Sequence, residues 1–171
     1  ATGLFKIAKS LAAILTMIAD PLYASAYPEI ARLISAGRLP AFRSYAIRAS
    51  LISGAVGLSL YGVIAALSHP LLGYVFGPEY RDAYVPLLVY MTSYLVWICL
   101  YPLSAAILAF GRPTISLIVL VVSAAFYYPA LYLLTLRYGL IGASASSFVF
   151  YGVWGAMMML FVTKEYWRRE N

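Results

Sequence analysis

A long apolar segment carrying a carboxylate near its middle constrains this chain more than any other feature. It runs from Ile7 to Ile34 and contains Asp20, Pro21 and Pro28, with Glu29 near its far end. An apolar run of this length reads as a membrane span. A carboxylate inside a span is costly unless it faces a protein interior or a water-filled cavity. The expectation is a multi-span membrane protein with a polar internal path, which points towards a transporter.

Composition excludes the soluble alternatives. Of 171 residues, 64% are hydrophobic and 11% charged, against roughly 25% charged in a soluble domain. Such a chain could not cover its surface in water. The net charge of +6 would suggest nucleic acid in a soluble protein. Here the basic residues fall in short loops between apolar runs, where positive-inside topology explains them, and no nucleic-acid partner is expected. The one cysteine, Cys99, lies inside an apolar run without metal-ligand companions and reads as a small buried residue.

The fold class expected is all-α and integral to the membrane, with about five transmembrane helices. The spans are read at about 4–34, 42–67, 83–110, 114–136 and 140–163, followed by a charged tail at 164–171. The linkers Ser35–Ala41, Ser68–Asp82, Gly111–Pro113 and Arg137–Gly139 carry Gly and Pro, which punctuate helices. The apolar runs are too long for the alternating strands of a barrel. Small residues recur at a spacing of four, as Ala49, Ser53 and Gly57, and as Gly139, Ala143 and Ser147. Such stripes let helix backbones approach closely in lipid.

Orientation follows from Lys and Arg. One side holds eight: Arg32, Arg38, Arg43, Arg48, Arg112, Lys164, Arg168 and Arg169. The other holds four: Lys6, Lys9, Arg81 and Arg137. The first side is expected to be cytoplasmic, with the carboxyl end inside. The first apolar stretch is too long for a secretory signal and the chain starts at Ala1 without a methionine, so it is read as a piece of a larger protein.

Four segments at span boundaries, in order, carry a family resemblance. Ala26-Tyr27-Pro28-Glu29-Ile30-Ala31-Arg32-Leu33 resembles the span-end motif of oligosaccharide-lipid flippases. Phe76-Gly77-Pro78-Glu79-Tyr80-Arg81-Asp82-Ala83 resembles their outer loop. Ala109-Phe110-Gly111-Arg112-Pro113 is similar to the short inner loop, and Tyr138-Gly139-Leu140-Ile141-Gly142-Ala143 to the opening of a late helix. The family is the polysaccharide-exporter branch of the multidrug/oligosaccharidyl-lipid/polysaccharide flippase superfamily.

The resemblance implies two lobes of six helices around a central cavity, with this chain supplying about five helices of the carboxyl-terminal lobe. It implies movement of a polyprenyl-diphosphate-linked oligosaccharide from the inner to the outer leaflet of a bacterial or archaeal plasma membrane, for surface polysaccharide, without enzyme chemistry. The partners implied are the lipid-linked oligosaccharide, the lipid bilayer and an amino-terminal lobe of the same protein, without which the piece should not transport.

Candidate site residues follow from charge and spacing. Asp20 beside Pro21 is the ion-coupling candidate, because a proline frees a helix carbonyl and a carboxylate at a broken helix suits a coupling proton or sodium ion. No other cofactor and no metal is expected. Lys6 and Lys9 share a helix face near the outer end, where cations would draw a diphosphate or snorkel to the interface. Arg48 lies more than a turn inside the second span and can meet the diphosphate at the inner cavity mouth, or act as an anchor. Arg32, Arg38 and Arg43 read as topology determinants or contacts to anionic headgroups.

Tyr90, Tyr94, Trp97 and Tyr101, at i, i+4, i+7 and i+11, form one aromatic face suited to sugar rings or to helix packing. Tyr80, Tyr84, Tyr127, Tyr128 and Tyr138 fit interfacial belts. The alternatives weighed are a multidrug exporter or peptidoglycan-lipid flippase of the same superfamily, a membrane-embedded polysaccharide polymerase or ligase, and a non-transporting scaffold. The enzymes would be expected to carry a large outer loop, and the longest outer loop here is Ser68–Asp82. A scaffold would have no use for Asp20 in mid-membrane.

Overall fold

A computed structural model of the chain describes residues 24–71 and 84–170, and these are helical apart from short turns. Lys6, Lys9, Asp20 and most of the outer loop, including Glu79, Tyr80 and Arg81, lie outside the described residues. In chain order the helices are α1 (residues 24–35), α2 (Leu39–Leu71), α3 (Tyr84–Leu100), α4 (Pro102–Ala109) and α5 (Pro113–Glu170). Among the described residues three helical stretches are long and apolar enough to cross a membrane: Leu39–Ser68, Tyr84–Ala109 and Pro113–Glu170.

The turns sit where Gly and Pro were expected. After α1, Gly37 N–H donates to the Ile34 carbonyl and Arg38 N–H to Leu33. After α4, Gly111 N–H donates to Leu108 and Arg112 N–H to Ile107. Both are the paired closing bonds of a helix that ends on a left-handed residue. Between α3 and α4 the break is slight, and Tyr101 keeps helical backbone angles. Pro102 lacks the N–H that would continue the ladder, so the expected span at 83–110 is two helices laid end to end.

α5 is not one straight rod. Gly139 has φ 59° and ψ −132°, a backbone that a residue with a Cβ adopts only under strain. Three residues later, a Cβ on Gly142 would run into the Leu134 carbonyl, and the Phe150 ring lies 5.9 Å from that of Tyr127. These pairs straddle Gly139, so the chain folds back and its two arms, 113–138 and 140–170, run antiparallel in contact. Pro129 stays inside the first arm.

α3 packs against α2 on one side and α5 on the other. Leu87, Met91 and Ile98 of α3 are buried against Leu60, Tyr61 and Ile64 of α2. Small residues set the spacing: a Cβ on Gly54 would lie 2.9 Å from Cys99 Sγ, and one on Gly57 2.9 Å from a Leu95 methyl. A larger core gathers Ile30 of α1, Phe42 of α2, Ile107 of α4, Phe110 of the turn after it and Met158 of α5. Meanwhile Leu51, Leu136 and Leu160 are 68%, 70% and 71% exposed. That apolar outer surface is costly in water and free in lipid. In lipid, burial of Met91 or Leu87 gains little by transfer, and the helices are held by close packing.

The predicted basic side is one physical end of the bundle. The turn at 36–38, the turn at 110–112 and the last turns of α5 meet there, with Arg169 beside Ile34, Ser35 and Gly37. The stretch expected as a tail is the continuation of α5 to Glu170. Within it Glu165 is buried against Arg112 and Arg168 rather than hanging in solvent.

Candidate functional site

Tyr90, Tyr94 and Trp97 of α3 and Tyr101 at the α3–α4 break share one face, and their rings touch in sequence. Tyr90 and Tyr94 lie 5.1 Å apart between centroids, Tyr94 and Trp97 6.1 Å, and Trp97 and Tyr101 5.8 Å. These separations suit edge-to-face and offset aromatic pairs. The row then crosses to α5. Tyr151 lies 5.5 Å from Tyr94 and 6.2 Å from Trp97. Phe150 lies 5.2 Å from Tyr151, Tyr127 5.9 Å from Phe150, and Tyr128 5.5 Å from Tyr127. Eight rings thus form a continuous wall from α3 across both arms of α5.

The rings differ in what they can offer. Tyr101 is buried, at 7% exposure, so its ring serves packing at the α3–α4 break. Tyr90, Tyr94 and Trp97 are half-buried, and Tyr128 is 67% exposed. At the Tyr90 end the wall opens into a recess of about 230 Å³ lined by Tyr90, Tyr127, Tyr128, Phe150, Tyr151 and Ser147. Aromatic faces with a few hydroxyls suit a ligand that is apolar on its ring faces and polar at its edges. A pyranose ring has this character: its C–H face stacks on an aromatic ring while its hydroxyls meet phenol and serine oxygens.

Sequence reading missed Tyr151 and Phe150, and assigned Tyr127 to an interfacial belt. A signal was present. Tyr127 and Tyr151 stand twelve residues before and after Gly139. With a reversal at that glycine, two antiparallel helices place both at one level.

Arg48 is exposed on α2 and stands in no ion pair or ring contact among the described residues. The structure does not bring it to the aromatic wall. Arg137 lies at the opposite end, over the Tyr138 ring at 5.5 Å.

Charge is organised at the basic end instead. Glu165, 7% exposed, faces Arg112 Nε at 3.4 Å and Arg168 Nε at 3.6 Å. Its Oε2 accepts no hydrogen bond among the described residues. Arg169 donates from Nη2 to the Phe110 carbonyl at 3.4 Å and places its guanidinium 5.1 Å from the Phe110 ring. Phe110 in turn meets Phe42 edge-on at 5.8 Å. The end of α5 therefore clamps the turn at 110–112 against the start of α2. Among the described residues no group of His, Cys, Asp and Glu could hold a metal.

No protein family, no curated protein and no solved structure matches this chain.

Proposed function

We propose that this chain is part of a membrane transporter that moves a polyprenyl-diphosphate-linked oligosaccharide from the inner to the outer leaflet of a bacterial or archaeal plasma membrane. The observation that carries the reading is the wall of eight aromatic rings between α3 and the two arms of α5. The four motifs at span boundaries support it from the sequence side.

In this reading each arm of α5 is a separate span. A continuous helix of 58 residues would be about 87 Å long, against a hydrocarbon core of about 30 Å. With α2, with α3 and α4 together, and with the segment leading into α1, the spans number five. They form part of one lobe, and an amino-terminal lobe completes the cavity. The basic end faces the cytoplasm.

The cargo's sugars stack along Tyr90, Tyr94 and Trp97 while its lipid stays in the bilayer. Lys6, Lys9 and Arg48 attract the diphosphate, and a proton or sodium ion bound at Asp20 drives the cycle. The lobes rock about the cavity and expose it to each side in turn. No bond is made or broken in the cargo.

The test is complementation of a strain lacking its flippase, with the reading frame that includes the amino-terminal lobe. Trp97→Ala and Tyr94→Ala should cut surface polymer by about tenfold, the factor for losing about 1.4 kcal/mol of binding. Membrane abundance should stay normal and lipid-linked oligosaccharide should accumulate inside. Asp20→Asn should abolish export. Normal polymer from all three variants would sink the assignment of these residues. Failure of the wild-type frame with several sugar types would sink the transport reading.

A further inference from the structure

A second recess, of about 530 Å³, lies at the basic end, away from the aromatic wall. α2 contributes Arg43, Ala46 and Ile47, α4 contributes Leu103, and α5 contributes Met159, Thr163 and Trp167. The α2 residues are spaced i, i+3 and i+4, and the α5 residues recur every four. The recess is therefore a seam running along two helices, about 12 Å long between the levels of Met159 and Trp167 at 1.5 Å per residue.

The seam has a polarity gradient along its length. α2 starts and α5 ends at the basic end, so Arg43, four residues into α2, and Trp167, three before the end of α5, share the outer level. Ile47 and Met159, each 52% exposed, lie deeper along the same helices, with Leu103 from α4. Arg43 is exposed and has no ion-pair partner among the described residues, although Arg112 and Arg168 at the same end are both tied to Glu165. Trp167 marks the headgroup level, where amphipathic rings settle.

We propose that this seam binds one anionic phospholipid, with its phosphate on Arg43 and one acyl chain along Ile47, Leu103 and Met159. A cation at the mouth, an aromatic ring at headgroup depth and an apolar floor match the order of parts in such a lipid. Basic pockets between helices at the cytoplasmic face bind anionic headgroups. A volume of about 530 Å³ falls within the range of small-molecule sites. The proposal rests on membrane embedding and is independent of what the aromatic wall carries.

The test is native mass spectrometry of the purified protein in detergent, titrated with phosphatidylglycerol or phosphatidylcholine of the same acyl chains. The wild type should retain phosphatidylglycerol in preference. Arg43→Gln should weaken that retention about fivefold, the factor one basic residue near an anionic surface is worth. Leu103→Trp, which fills the seam and keeps Arg43, should weaken it similarly. Arg137→Gln, at the other end, should leave it unchanged and controls for folding. Equal retention of both lipids by the wild type would overturn the proposal. So would loss in Arg43→Gln with full retention in Leu103→Trp, which would mean a headgroup contact without a chain site. Displacement of phospholipid by a polyprenyl phosphate at a lower concentration, or crosslinking of Ile47→Cys between two copies, would assign the seam to the carrier lipid or to a dimer instead.

Discussion

Gly142→Ala is the sharpest probe of how α5 is built. A Cβ at this position would strike the Leu134 carbonyl of the other arm. A flexible side chain could swing aside, but a helix carbonyl moves only if the arms separate. Forcing a methyl group into packed structure costs about 1–3 kcal/mol. Replacing a helical glycine with alanine returns up to about 1 kcal/mol. The net expectation is a loss of about 0–3 kcal/mol, according to how much of the helix-propensity gain is realised. Gly62 and Gly152 supply the internal control, because a Cβ on either meets nothing within 4 Å among the described residues. The same substitution there should be neutral or stabilise by up to about 1 kcal/mol. Reversible unfolding in mixed micelles, followed by tryptophan fluorescence, ranks the three variants. Gly142→Ala at least as stable as Gly152→Ala would contradict a close approach of the two arms at this level. The arms would then stand further apart beside Gly139 than the Gly142–Leu134 approach requires.

Three further outcomes follow from the packing. Gly54→Ala should destabilise the α2–α3 contact, because its Cβ would sit 2.9 Å from Cys99 Sγ. Cys99→Ala should relieve most of that loss, and a double-mutant cycle should show coupling of about 0.5–1 kcal/mol. Glu165→Gln should loosen the clamp on the 110–112 turn. Arg112 is 43% exposed and regains water when freed, so the expected cost is about 1 kcal/mol rather than the 3–5 of a fully buried pair. Sidedness is read by single cysteines in a Cys99→Ala background. Ser35→Cys and Arg112→Cys should react with an impermeant maleimide from the same side, and Tyr138→Cys from the opposite one. Labelling of all three from one side would contradict a first arm of α5 that crosses the bilayer.

The parts of this fold that could be read from the sequence are those where one residue type has one physical use. Gly37, Gly111 and Gly139 all have positive φ, and each stands where a linker was expected. Helical periodicity likewise put Tyr90, Tyr94, Trp97 and Tyr101 on one face without any knowledge of neighbours. Reading failed where the answer depended on which helices meet. Tyr127 and Tyr151 join one wall only because the arms of α5 pack side by side. Glu165 looked like part of a charged tail because its partner Arg112 is 53 positions away in the chain.

The deepest loss concerns the apolar residues. In water, a leucine on a helix is presumed to face the core, since exposure is penalised. In a bilayer both sides of a helix are apolar, so that presumption vanishes. Leu51 is 68% exposed and Leu87 fully buried, yet nothing in their local sequence separates them. Small residues mark part of the packing faces instead: Ser53 and Gly57 on α2, and Ala143 and Ser147 on α5, are buried, while Ala49 of the first expected stripe is half-buried and Gly139 of the second is exposed at the reversal. In such a chain the small residues that are buried mark contacts, whereas Gly62 and Gly152 stay exposed, so residue type narrows the choice of packing face without fixing it, and the aromatics and charges that interrupt the apolar surface locate the candidate sites.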